Sequence, residues 1–247
     1  MPLIATEAIV PLRAEPGERH EMVTQLLFGE AADLLQSQSD WVQVRCHHDG
    51  YEGWASAQML TEGPATGPER RLGHARVMHP AGGEMQLPPG AVWRSETQEW
   101  TWAGQTWTLV SPGAAAPADP YAVALTYLHA PYLWGGRSAM GIDCSGLSQM
   151  AFLRCGLALL RDASQQATLG EPVAGVELVQ RNDLVFFSKT PGGRVTHVGI
   201  ANGEGQILHA SGRVRIDALT PEGIVRTGLA QLSHSLHSIR RILIKNL

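Results

Sequence analysis

The sequence predicts an α+β protein in which two small all-β units precede a domain of mixed helix and strand. Three observations lead there. Period-two alternation broken by turn residues runs from Ile9 to Val110, a Pro- and Ala-rich linker spans Ser111 to Pro120, and helix-periodic residues followed by strand patterns lie beyond it.

In the first stretch, Trp41, Gln43 and Arg45 alternate with Val42 and Val44, as on a half-buried strand. Asp49-Gly50 signals a hairpin turn, because both central positions of a type I′ turn need positive φ. Several such strands close together predict a small barrel over residues 1–63. The loop Thr61 to Pro68 separates a second all-β stretch, residues 64–112, marked by Gly82-Gly83, Pro88-Pro89-Gly90 and the tryptophans Trp93, Trp100, Trp102 and Trp107. Those tryptophans fit either a buried core or a ligand surface, and buried tryptophans are the commoner case in small barrels. The linker then places a third domain at residues 113–247.

Bulk composition narrows the function classes. The 247 residues are 44% hydrophobic and 17% charged, which is ordinary for a globular chain, and a formal net charge of -4 gives no reason to expect nucleic acid as a partner. No stretch approaches the ~20 apolar residues of a membrane span, and Met1 to Pro11 carry no secretory pattern, so a cytoplasmic location is expected. Cys46, Cys144 and Cys155 form no Cys-x-x-Cys pair, so reduced thiols are expected rather than a disulfide framework. Cys46-His47-His48, with His74 and His79, matches no zinc spacing, and alternate strand residues point to opposite faces. No metal and no cofactor are therefore expected.

The chemistry lies after the linker. Pro120 to Leu128 reads as a first helix, and Gly135-Gly136 and Gly141 make the segment up to Asp143 a loop. From Ser145 the residues Leu147, Met150, Ala151 and Cys155 recur at helical spacing, and Gly156 is placed to end the helix. Cys144 thus stands at a helix N-terminus, where the unsatisfied N–H groups favour a thiolate. Cys155 lies on the apolar stripe and reads as core. Downstream, Val195 to Ala201 alternates like a strand carrying His197, and Gln206 to Ala210 is its return strand carrying His209. The two histidines share a face only if an odd-numbered loop joins the strands. A three-residue loop, Asn202 to Glu204, satisfies that condition, and a four-residue loop violates it. A cysteine on a helix, a histidine on a strand and a polar group holding that histidine form the geometry of a papain-like thiol peptidase. In that geometry His197 takes the thiol proton and His209 orients His197.

At these residues the sequence resembles a known family. "YLWGG" followed by "GIDCSGL", then "RDASQQ", "NDLVFF", "THVGIA" and "ILHAS", are similar in order and spacing to the NlpC family, over about Asp119 to Asp217. The resemblance implies a catalytic triad of Cys144, His197 and His209, with Tyr132 helping the Cys144 backbone N–H to stabilise an oxyanion. Asn182 stands where the family usually has glycine, a change that asparagine's tolerance of left-handed backbone accommodates. In the first stretch, "VTQLLFGE", "WVQVR" and "DGYEGW" resemble a bacterial SH3-like domain, and residues 64–112 read as a degenerate second copy.

The combination resembles the γ-D-glutamyl-L-diamino acid endopeptidases, which implies a monomer acting on a muropeptide such as L-Ala-γ-D-Glu-diamino acid. By position, Asp143, Ser145 and Ser164 match residues that hold the free L-alanine amine, and the first barrel contributes Tyr51 or Glu52. Ser164 equally fits the N-cap of a following helix, and Glu52 equally fits a solvated hairpin charge. Two other readings share these features: an amidase or acyltransferase using the same thiol, and a wall-binding protein with an inactive peptidase domain.

Overall fold

A computed structural model describes residues 1–117, 119–229 and 231–243. The chain divides into two units, Met1–Ala116 and Pro117–Leu247.

The first unit is all β among its described residues. Seven antiparallel strands between Leu3 and Glu62 form one sheet, in which Trp41–Cys46 pairs with Ala31–Gln38 on one side and with Glu52–Ser56 on the other. As alternation predicts, Val42 and Val44 turn inward, beside Val10, Leu12, Leu26 and Ala55. Strand parity holds only as far as Cys46. There the chain leaves the sheet and closes a turn, with the Gly50 N–H donating to the Cys46 carbonyl at 2.9 Å and the Tyr51 N–H to Asp49 Oδ1 at 2.9 Å. Residues 47 to 49 therefore escape the opposite-face rule used above against a metal site. His47 faces out to Asp33, Nε2 to Oδ1 2.8 Å, while His48 and Asp49 curl back toward Cys46.

Residues 70–111 form a four-stranded sheet and a short ladder between Val92–Trp93 and Arg70–Arg71. Trp93, Trp100, Trp102 and Trp107 are buried in one cluster, so they serve as core rather than as a ligand surface. Phe28, from the turn after the strand Met22–Leu27, sits among them with its ring centroid 4.9 Å from Trp107, and Ile4 and Ala31 join the same cluster. Two short sheets thus share one core, which is why residues 1–116 cohere as one unit. Close approach sets the backbone there: the Val92 N–H donates to the Phe28 carbonyl at 2.8 Å, and a Cβ on Gly29, whose φ is +77°, would lie 2.1 Å from the Val92 carbonyl oxygen.

The second unit starts at the helix Pro120–Leu125, capped by Asp119, with Pro120 in the first turn where its missing N–H costs nothing. It is shorter than the predicted Pro120 to Leu128 because i→i+3 bonds follow, such as Leu128 N–H to Leu125 O at 3.0 Å. The helix Cys144–Leu153 is buried along its whole length and packs on the strands Val195–Ala201 and Gln206–Ser211. Those strands belong to a seven-stranded antiparallel sheet, in which Gln231–Arg241 pairs with both Leu184–Ser188 and Gly223–Arg226 and so closes the sheet on itself. Asn182 adopts φ +76°, as its residue type allows, and its Oδ1 accepts the Tyr121 N–H at 2.8 Å, tying the first helix to the sheet. Among the described residues no helix is long and apolar enough to cross a membrane.

Trp107 is fully buried and stacked on Trp102, at 5.4 Å and 14°. Trp107→Ala should therefore cost about 3–5 kcal/mol, read as a loss of stability in denaturant unfolding of the full chain.

Candidate active site

A buried carboxylate positions the cysteine. Asp143 caps the helix Cys144–Leu153, Oδ1 accepting the Gly146 N–H at 2.6 Å, while Oδ2 accepts the Gly135 N–H at 2.8 Å. Arg161 forks onto both oxygens at 3.1 and 2.6 Å and also donates to Ser145 Oγ at 2.9 Å. Gln166 then bridges back to the helix, donating to the Ser145 carbonyl at 3.0 Å and accepting from Ser148 Oγ at 2.6 Å. The loop before Cys144, the start of its helix and the segment 161–166 are thereby locked together.

The histidines meet, though by another register than predicted. Gly199 lies opposite His209 and Ala201 opposite Ile207, which leaves five residues, 202 to 206, in the loop rather than three. Asn202 drives the longer turn, its Oδ1 accepting the N–H groups of Glu204 and Gln206 at 2.8 and 3.1 Å. Five is odd like three, so the rings still share a face and meet diagonally, His197 Nε2 to His209 Nδ1 at 2.8 Å with the planes at 84°. Beyond His209 stands Asp217, its Oδ2 3.0 Å from His209 Nε2. Burial by itself would raise the Asp217 pKa, but hydrogen bonds from His209, Arg215 and the Thr227 N–H hold it well below the ordinary carboxylate range.

The contacts restrict the tautomers. An ionised Asp217 accepts only, so His209 carries a proton on Nε2, and in its neutral form it presents a lone pair at Nδ1 to His197. His197 must then donate through Nε2, which leaves its Nδ1 as the basic atom. Burial, followed by the nearby His209 and His234, pushes the His197 pKa well below its usual value, so the ring is a neutral base.

The cysteine also departs from the prediction. Burial first, and then the Asp143 carboxylate, push the Cys144 thiol up to about 12. Backbone N–H groups of Val198 and Ser145 and the Arg161 charge favour the thiolate but are outweighed. The helix N-terminus does not win against desolvation. Burial thus favours the neutral form of both the Cys144 thiol and the His197 imidazole. Tyr132 is half-buried, and burial together with Cys144 and Asp143 raises its pKa, so the phenol keeps a proton to donate.

Other predicted residues fall differently. Asp143 and Ser145 are both buried and face Arg161. Five donors meet the Asp143 carboxylate, so Asp143 also serves as cap and anchor for the helix of Cys144. Ser164 lies half-buried within the short helix Ala163–Gln166, whose N-cap is Asp162, so the capping role is not its own. Tyr51 and Glu52 lie in the first unit, where Glu52 pairs with Arg45 at 2.8 Å. Cys155 is buried, with Sγ 3.8 Å from the Pro117 carbonyl, as a core residue should be.

Three residues were not foreseen. Arg161 lay inside the quoted "RDASQQ", but nothing local shows that it reaches Asp143. Asp217 was detectable: Ser211 pairs with Arg213 around Gly212, so 217 shares the parity, and hence the face, of 209. His234 stacks on His197 at 4.2 Å and 21° from a strand far along the chain, with no sequence signal.

Comparison with known proteins agrees with this geometry. The sequence model of the NlpC/P60 family matches residues 129–230, and that of the bacterial dipeptidyl-peptidase Sh3 domain matches residues 12–60. A Bacillus subtilis protein named gamma-D-glutamyl-L-lysine dipeptidyl-peptidase is 30% identical over 215 residues, covering 76% of this chain and 71% of that one. The chain belongs to the NlpC/P60 family. A Bacillus cereus protein of the same name is 24% identical over 77% of this chain and 68% of its own length. The crystal structure of an NlpC/P60 family protein from Bacillus cereus shares the fold, with a TM-score of 0.82 over 98% of this chain and 99% of that one, at 20% identity. This NlpC/P60 protein is therefore a cysteine peptidase that carries an N-terminal SH3-like domain.

Two outcomes follow for the NlpC/P60 site. Asp217→Asn should lower kcat on the order of 10- to 100-fold with little change in KM, because His197 loses its fixed tautomer. With a neutral resting thiol, alkylation of Cys144 by iodoacetamide, followed by mass spectrometry, should accelerate steadily as pH rises from 6 to 10. A rate already flat across that interval would reveal a preformed thiolate–imidazolium pair.

Proposed function

We propose that this peptidase cleaves the γ-D-glutamyl-L-diamino acid bond of cell-wall peptides whose L-alanine amine is free. The observation that carries the reading is the likeness to the Bacillus subtilis dipeptidyl-peptidase over 71% of that protein, which spans more than the catalytic domain. In this proposal Cys144 Sγ attacks the γ-carbonyl carbon while His197 Nδ1 takes the thiol proton. Tyr132 and the Cys144 backbone N–H donate to the oxyanion. His197 returns the proton to the departing diamino acid nitrogen, and a water that it then deprotonates hydrolyses the thioester. His209 and Asp217 steady the imidazolium between these steps.

The same proposal divides the chain into SH3-like modules at 1–63 and 64–112 and a peptidase domain at 113–247, acting as a monomer. In this reading the amine is held by Asp143, Ser145 and Ser164, with Tyr51 or Glu52 as the SH3-like module's share. Oxygen acceptors around an ammonium make charge-assisted bonds that acylation removes. In intact wall that nitrogen is acylated by the glycan, so the natural substrates are released fragments, and the reaction belongs to murein peptide recycling in the cytoplasm.

The test compares kcat/KM for L-Ala-γ-D-Glu-diaminopimelate and its N-acetylated form, with products identified by mass. A loss of up to ~10⁴-fold on acetylation is expected, because the charge-assisted bonds to the ammonium are lost. Equal values would make the enzyme a general wall endopeptidase. Cys144→Ala should abolish turnover of the free peptide and still bind it, and Cys155→Ala should retain activity.

A further inference from the structure

The turn that ends the strand Trp41–Cys46 gathers three metal-binding side chains. One donor atom each of Cys46, His48 and Asp49 lies within 4.8 Å of the other two. The side chains of His48 and Asp49 are 6% and 0% exposed, and Cys46 is buried. Both ring nitrogens of His48 are shielded from solvent and make no hydrogen bond, although Nε2 stands 3.2 Å from Asp49 Oδ2. A buried imidazole with neither nitrogen satisfied carries an unmet polar cost, and a cation is the partner that removes it.

We propose that Cys46, His48 and Asp49 form a binding site for one zinc ion, or a divalent cation of similar softness. Thiolate, imidazole and carboxylate are a zinc donor set, and the two negative charges balance the ion. Donors ~2.0–2.3 Å from a tetrahedral zinc stand roughly 3.3–3.8 Å apart, so closure requires side-chain shifts of about 1 Å. His48 Nε2, the nitrogen beside Asp49, takes the metal. His48 Nδ1 faces Glu30 Oε1 at 3.9 Å, the carboxylate-behind-histidine arrangement that orients metal-bound imidazoles. Glu30 is itself held by the Leu27 N–H at 2.9 Å and by Arg71 at 3.0 Å. The fourth position is left to water. Such an ion would clip together the turn that runs directly into Tyr51 and Glu52.

The test uses the full chain as Cys144→Ala, so that the catalytic thiol contributes nothing, stripped with a chelator and titrated with cobalt(II). One equivalent should bind with a sulfur-to-cobalt charge-transfer band in the near ultraviolet, zinc should displace it, and zinc should raise Tm. Cys46→Ser should lose the band. His48→Gln, which keeps the thiol and does not disturb the apolar core, should weaken cobalt binding about tenfold or more. Absence of the band in the parent, its survival in Cys46→Ser, or unchanged affinity in a folded His48→Gln would each overturn the site.

Discussion

The catalytic unit depends on the buried pair of Asp143 and Arg161. Taking two such charges out of water is expensive, and a pair of this kind is retained only where further hydrogen bonds support it. Here they do. The carboxylate receives Gly135, Gly146, Ser145 and both arms of Arg161, and the guanidinium also reaches Ser145. What the pair gains is specificity of placement. Three stretches of chain that have no apolar reason to meet are brought to one point, and Cys144 is the next residue.

The same low-dielectric setting raises the thiol and lowers the imidazole, which favours the neutral form of each. The site compensates by arranging charge where it will be needed. Asp217 stays ionised, Arg215 and the Thr227 N–H hold it in place, and His209 links it by hydrogen bonds to His197. The closed sheet makes this possible, since His197, His209 and Asp217 come from three consecutive strands whose register the hairpins fix.

Period and parity were legible in the sequence. The helix after Cys144, the linker, the inward Val42 and Val44 and the shared face of the histidines all follow from repeat lengths of 3.6 or 2. Quantities that depend on burial were not legible. The thiol pKa turned on desolvation against a helix dipole, and the hold of Arg161, 18 residues away, on Asp143 could not be seen. Turn geometry was the other gap. Asn202 lengthened one loop by two residues without changing parity, whereas the turn after Cys46 ended the strand and with it the rule applied to His48.

The tryptophan cluster bears on how such chains are assembled. Ile4 lies in the first sheet and Phe28 in a turn between its strands, but both pack into the second sheet's core. A cut near residue 63 would leave Phe28 uncovered on one side and a hollow among the indoles on the other. Residues 1–116 consequently respond as one body, in which damage to either sheet reaches the other through the shared core.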